Sequence, residues 1–244
     1  MGRTPRASAR RRCGTPVLKS RVQARVRAGA ARDAALSDFF RLLQQPAGEH
    51  VFNPWRDRDA GTDAAADAPA ARIARLRAHL DADARWLLLG EAAGYQGAHV
   101  SGIPFTSERL MLEGAIPRIA LGGRRLSTRP RPWSEPSATT VWGTLHALGR
   151  AQDTLLWNAF PWHPHRPGLP QTNRAPTPAE RRAGLPVLLA LLAAFPGVRC
   201  FAVGRNAETS LAEVGVAATP LRHPSMGGAS RFRDGLHAAL ADDG

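Results

Sequence analysis

The chain has 244 residues, 43% of them hydrophobic, with a formal net charge of +13 and a pI near 11.5. That supports one sizeable core and at most two domains, and no apolar run reaches the roughly 18 residues of a membrane span. Arginines interrupt every N-terminal stretch that would make a signal-peptide core, and Arg6 stands where a myristoylation signal needs Ser or Thr. A soluble, cytoplasmic protein is expected. The two cysteines, Cys13 and Cys200, are too few for a disulfide framework or a four-cysteine metal site, and Cys200, in an apolar stretch, reads as a small buried hydrophobe.

Residues 1–32 lack apolar periodicity and read as a disordered basic tail. Ten basic residues, from Arg3 to Arg32, precede the first acid, Asp33. Weak nucleic-acid binding, targeting and a start site placed too early all remain open for this segment. A domain is expected over 33–244. Leu36, Phe39, Phe40 and Leu43 recur at helical spacing. Residues 57–70, rich in Asp, Ala and Gly, read as a loop. Ile73, Leu76 and Leu80 mark a second helix, and Trp86 to Gly90 a short buried strand that Gly90 ends. Ser107 is placed to cap a helix through Leu112, and 113–136 reads as irregular. A helix starts at Ser137, carries Val141, Leu145 and Leu148, and stops at Gly149. Thr154 to Ala159 is a second strand and 161–176 a proline-rich loop. Thr177-Pro-Ala-Glu180 has the capping-box form with Pro at the first helical position. The helix it opens is apolar nearly all round and is expected to be well buried. Val198 to Val203 is a third strand, Val214 to Leu221 a weaker fourth, and Ser230 to Leu240 a closing helix.

Helices alternating with short, continuous apolar strands predict a three-layer α/β/α sandwich around a central, mostly parallel four-stranded sheet. Such sheets bind ligands at the carboxyl ends of their strands. There the sequence offers Glu91 after the first strand, Asn158 at the end of the second and His223 after the fourth. An acid, an amide and an imidazole converge on one rim. His163 and His165 form an H-x-H pair, but no third ligand follows at metal-site spacing, so no metal is expected. No G-x-x-x-x-G-K-[ST] phosphate loop is present, which argues against a nucleotide-binding protein.

These segments resemble the uracil-DNA glycosylase superfamily. "GEAAG" at 90–94 is similar to the first active-site motif in its GEAPG form, with Ala93 in place of Pro. "GIPF" puts Phe105 at the base-stacking aromatic position, and "WNAFP" at 157–161 puts Asn158 at the base-reading position. "HPSMGG" at 223–228 is similar to the second active-site motif and its DNA-inserting loop, and "TNRAPTPAE" at 172–180 also has the look of the superfamily. The resemblance spans roughly Trp86 to Leu236. The GEAPG branch carries an iron–sulfur cluster on four cysteines. This chain lacks them, so a cluster-free relative with no cofactor is implied.

The resemblance implies roles that the chemistry of each residue supports. A base must leave the stack to be excised. Cleaving its N-glycosidic bond builds oxocarbenium character on the sugar and negative charge on the base. Glu91 would activate water and stabilise the sugar, and Asn158 would pair with uracil O4 and N3–H. His223 would donate to O2 as charge grows there. Phe105 would stack on the base. Among the substrate-binding residues, Ala93 would alter the loop that carries Glu91, Gly94 would let backbone approach the ligand closely, and Tyr95 would either wall off a thymine methyl or cover the loop. Met226 would fill the gap left by the flipped nucleotide. Ser225, Gly227 and Arg231 would contact phosphate. The expectation is a monomeric, monofunctional DNA glycosylase, nucleoid-associated, removing a deaminated base, above all uracil. Two alternatives stand beside it: a damage-binding protein of the same fold with little chemistry, and a glycosylase for hypoxanthine, xanthine or mismatched thymine.

Overall fold

The structure is a computed structural model that describes residues 16–119 and 125–241. In chain order its elements are α1 (Pro16–Leu43), β1 (Val51–Phe52), α2 (Ala68–Leu80), β2 (Trp86–Ala92), α3 (Ala98–Ser101), α4 (Glu108–Leu112), α5 (Pro136–Ala147), β3 (Thr154–Phe160), β4 (His163–Pro164), α6 (Pro178–Ala194), β5 (Arg199–Val203), α7 (Arg205–Glu213), β6 (Ala218–Leu221) and α8 (Ala229–Ala241).

Four parallel strands in the order β3-β2-β5-β6 form the sheet, and β1 pairs with β4 as a small antiparallel ribbon. Successive strand side chains point to opposite faces, and here both faces are buried. Leu87, Leu89, Leu155 and Trp157 enter a core with Phe39, Phe40 and Leu43 of α1 and Val187, Leu188 and Leu191 of α6. Trp86, Leu88, Leu156 and Phe201 enter the other, with Val141, Trp142 and Leu145 of α5 and Phe232 and Leu236 of α8. The result is the expected three-layer α/β/α sandwich, with a fully parallel central sheet. Cys200 lies buried in the first core, where burial pushes its thiol up to about 11. Cys13 lies outside the described residues.

Several boundaries differ from the sequence expectation. The chain is helical from Pro16, inside the segment read as a disordered tail over 1–32. Alanine and arginine favour helix without any apolar stripe, and residues 1–15 lie outside the described residues. Gly90 does not end the first strand. It pairs with Asn158, and the ladder continues to Ala92 opposite Phe160, so Glu91 belongs to the strand's last turn of pleat. Helix α6 is buried on one side only. Gly184, Val187, Leu188 and Leu191 face the core, while Leu189 is 50% exposed. Helix α7 carries few apolar residues but buries Ala207 and Leu211, four apart, against the sheet. The capping box at Thr177 forms as expected: its hydroxyl accepts from the Glu180 N–H at 3.2 Å, and the Glu180 carboxylate accepts from the Thr177 N–H at 2.7 Å.

Candidate active site

The parallel register places Gly90 beside Asn158 at the carboxyl rim. Phe105, after α3, turns back over them with a left-handed φ of 50°, a conformation that costs a bulky residue energy and is held only by its surroundings. Its ring lies so close to Gly90 that a Cβ there would fall 2.5 Å from the ring and 2.7 Å from the Asn158 side chain. The glycine inside the strand therefore makes room for a planar aromatic over the strand ends.

Asn158 is 3% exposed. Hydrogen-bond partners set the orientation of its amide. The oxygen accepts from the Ala93 N–H and the nitrogen donates to the Trp157 carbonyl, both at 3.2 Å. One N–H and one lone pair remain. Ala93 stands where the motif form GEAPG has proline, and its N–H, which proline lacks, is the group that holds the amide.

His223 follows β6. Its Nδ1 accepts from the Ser225 N–H at 3.1 Å and lies 2.8 Å from the Ser225 hydroxyl. Burial first, and Arg222 second, hold the imidazole below its ordinary value. The neutral ring therefore carries its proton on Nε2, because Nδ1 is the acceptor. Gly228 closes the loop: a Cβ there would overlap the His223 carbonyl. Between them Met226 is 92% exposed with a left-handed φ of 51°. A bare methionine on a strained turn is a local expenditure of stability.

Glu91, Gly94, Phe105, Asn158 and His223 line one small recess, roughly 270 Å3 counting space open to solvent. It opens into a cleft of roughly 1660 Å3, counting space open to solvent, whose walls include Ala93, Ser225, Met226 and Gly227. Three separate strand ends thus deliver the acid, the amide and the imidazole to one place. Two expected residues are not brought there. The Tyr95 ring packs edge-on against Trp133, with centroids 5.5 Å apart, so it covers its own loop rather than the recess. Arg231 lies on α8 away from both walls. The H-x-H pair does not act as a unit. His163 is buried, its Nδ1 2.9 Å from His99 Nδ1 and its Nε2 2.9 Å from the Thr172 carbonyl. Among the described residues no group of three or more His, Cys, Asp or Glu side chains is placed to hold a metal ion.

Three further residues belong to the site. Asn173 accepts from the Tyr95 N–H at 3.0 Å and ties the 172–180 segment to the loop after β2. Arg174, in the cleft wall, is held by Glu180 through bonds of 2.7 and 2.6 Å. Glu135 lines both recess and cleft. The sequence signal for it was the Glu-Pro pair that opens α5. A helix that leads into a parallel strand begins at the carboxyl rim of the sheet, so its N-terminal acid must lie beside the site.

The comparisons bear on this arrangement. A family model for the uracil DNA glycosylase superfamily matches residues 78–240. Among solved structures, the crystal structure of wild-type SMUG2 from Pedobacter heparinus is similar, with a TM-score of 0.59 at 16% identity, covering 85% of this chain and 97% of that one. At that identity the likeness is one of fold. No curated protein matches the chain.

Proposed function

The chain belongs to the uracil-DNA glycosylase superfamily, whose members are DNA N-glycosylases, and from that membership we propose that it flips a deaminated base, above all uracil, out of DNA and hydrolyses its N-glycosidic bond. The observation that carries this reading is the single recess shared by Glu91, Asn158, His223 and Phe105.

Each group has a task its geometry suits. The free N–H and lone pair of Asn158 pair with O4 and N3–H of uracil and oppose the cytosine pattern. The Phe105 ring, 6.0 Å from the imidazole of His223 and tilted 36° to it, supplies a face for stacking. As the bond from C1′ to the base breaks, its electron pair goes to the base, and the Nε2–H of His223 stabilises that charge. Water adds its oxygen to C1′ and gives a proton to Glu91. The base then takes a proton from solvent, and an abasic site remains. Ser225, Met226 and Gly227 form the DNA-facing loop, with Met226 filling the vacated stack. The +13 charge favours a polyanion, so binding weakens as salt rises. The working unit on this reading is a monomer, acting at the nucleoid of the cytoplasm in base excision repair. Among the described residues no helix is long and apolar enough to cross a membrane.

The test is alkaline cleavage of an oligonucleotide carrying one uracil, with hypoxanthine, xanthine and a G·T mismatch alongside. Release of uracil above the others supports the proposal. Binding without release of any base would move the assignment to a damage-binding protein.

A further inference from the structure

The recess holds a second acid that the mechanism above leaves without a task. Glu135 stands at the N-terminus of α5 and lines the same recess as Glu91. Its Oε2 is wholly buried and has no hydrogen-bond partner. The chain makes space for this carboxyl: a Cβ on Gly97 would overlap it, and a Cβ on Gly94 would stand 3.5 Å from Oε1. Among the described residues no cation is bonded to it. The titratable and charged groups that line the recess and cleft with it are Glu91 from β2, His223 from the loop after β6, and Arg174, whose guanidinium is bound to Glu180. Burying a carboxyl without a partner costs free energy that a folded chain ordinarily avoids. The carboxyl lines the recess on the side of Gly94, where Oε1 lies, while the unpaired Oε2 sits against Gly97.

We propose that Glu135, as a neutral carboxylic acid, donates a hydrogen bond from the wall of the recess to the flipped base. The proposal rests on the glycosylase reading. Its chemistry follows from charge. Glu91 must be an anion to take the proton of water and stabilise the sugar cation. The departing base also gathers negative charge, so a second carboxylate beside it would oppose bond cleavage. Two acids in one recess therefore need opposite protonation states. Burial alone pushes Glu135 up to about 7. Base release should then fall as pH rises through that value. His223 does not supply this limb, because burial and Arg222 move its titration the other way.

The experiment is single-turnover release of uracil from a labelled oligonucleotide between pH 6 and 8.5, with enzyme saturating at each pH, for wild type, Glu135→Gln and Glu135→Ala. Loss of one proton at about 7 lowers the wild-type rate about thirtyfold across that range. Gln keeps an N–H donor and carries no charge. Glu135→Gln should keep release within about tenfold of wild type at pH 6 and stay level to pH 8.5. Glu135→Ala should lose at least about tenfold at every pH. A Glu135→Gln profile that falls in parallel with wild type overturns the inference, as does a Gln variant as inactive as Ala, or an Ala variant as active as wild type. Those results leave the glycosylase reading standing. Failure of the wild type to release any base at any pH overturns that reading, and this inference with it.

Discussion

Glu135→Gln should stabilise the fold in alkali, and the gain can be worked from the site. Burial pushes the half-buried Glu135 carboxyl up to about 7 in the folded protein, from an ordinary value of 4.5. A raised acid holds its proton in the native state while the unfolded chain loses it. Stability is therefore fully present below about 4.5 and drains away as pH rises to about 7, beyond which the loss is complete. The difference of about 2.5 units corresponds to about 3 kcal/mol. Relative to wild type, Glu135→Gln should gain under about 1 kcal/mol at pH 5 and about 3 kcal/mol at pH 8.5. Urea denaturation of both proteins at the two pH values reads this directly. The constant cost of placing an amide in that pocket cancels in the comparison. A gap between the variants that does not change with pH would refute the claim that Glu135 is buried as the neutral acid.

Three other outcomes follow from the site's construction. Gly90→Ala forces a Cβ into the Phe105 ring and the Asn158 side chain. It should cost about 1–3 kcal/mol in a thermal or urea melt and at least about tenfold in base release, since the two groups proposed to contact the base must both shift. Glu108→Gln should cost about 2–4 kcal/mol in a urea melt, because the Glu108 carboxylate accepts from Arg125, the Leu126, Ser127 and Trp133 N–H groups and the Ser127 hydroxyl. Burial raises its pKa, but these bonds outweigh that and set it below the ordinary value. Its contribution is thus present above the ordinary carboxylate range and lost in acid, so the Gln variant should show less acid destabilisation. Ala93→Pro removes the N–H that anchors Asn158. It should cost about 1 kcal/mol and narrow the preference for uracil over cytosine in a release assay.

The layered fold was legible because its strands are continuous apolar runs and its helices keep a 3.6-residue period. The rim was legible too, since Glu91, Asn158 and His223 each follow such a run. Local signals failed where tertiary contacts decide. Gly90 read as a strand breaker because Gly usually weakens a strand, yet the approach of Phe105 requires Gly at that point of the ladder. Helix α7 went unseen because Ala207 and Leu211 alone make too faint a stripe. Tyr95 was ambiguous in sequence, and its packing on Trp133 depends on the 125–133 segment that Glu108 gathers. Glu135 was hidden in a stretch read as irregular. Its position followed only from the direction of α5 relative to β3.

The most direct measurement of the central claim is alkaline cleavage of a labelled single-uracil oligonucleotide by wild type, Glu91→Gln, Asn158→Ala and His223→Ala, each shown by melting to be folded. Cleavage by the wild type, with losses of about a hundredfold or more in the variants, is the result expected of a uracil glycosylase working from this recess. A folded wild type that cleaves neither single- nor double-stranded substrate, or variants that cleave as fast as it does, would contradict the account.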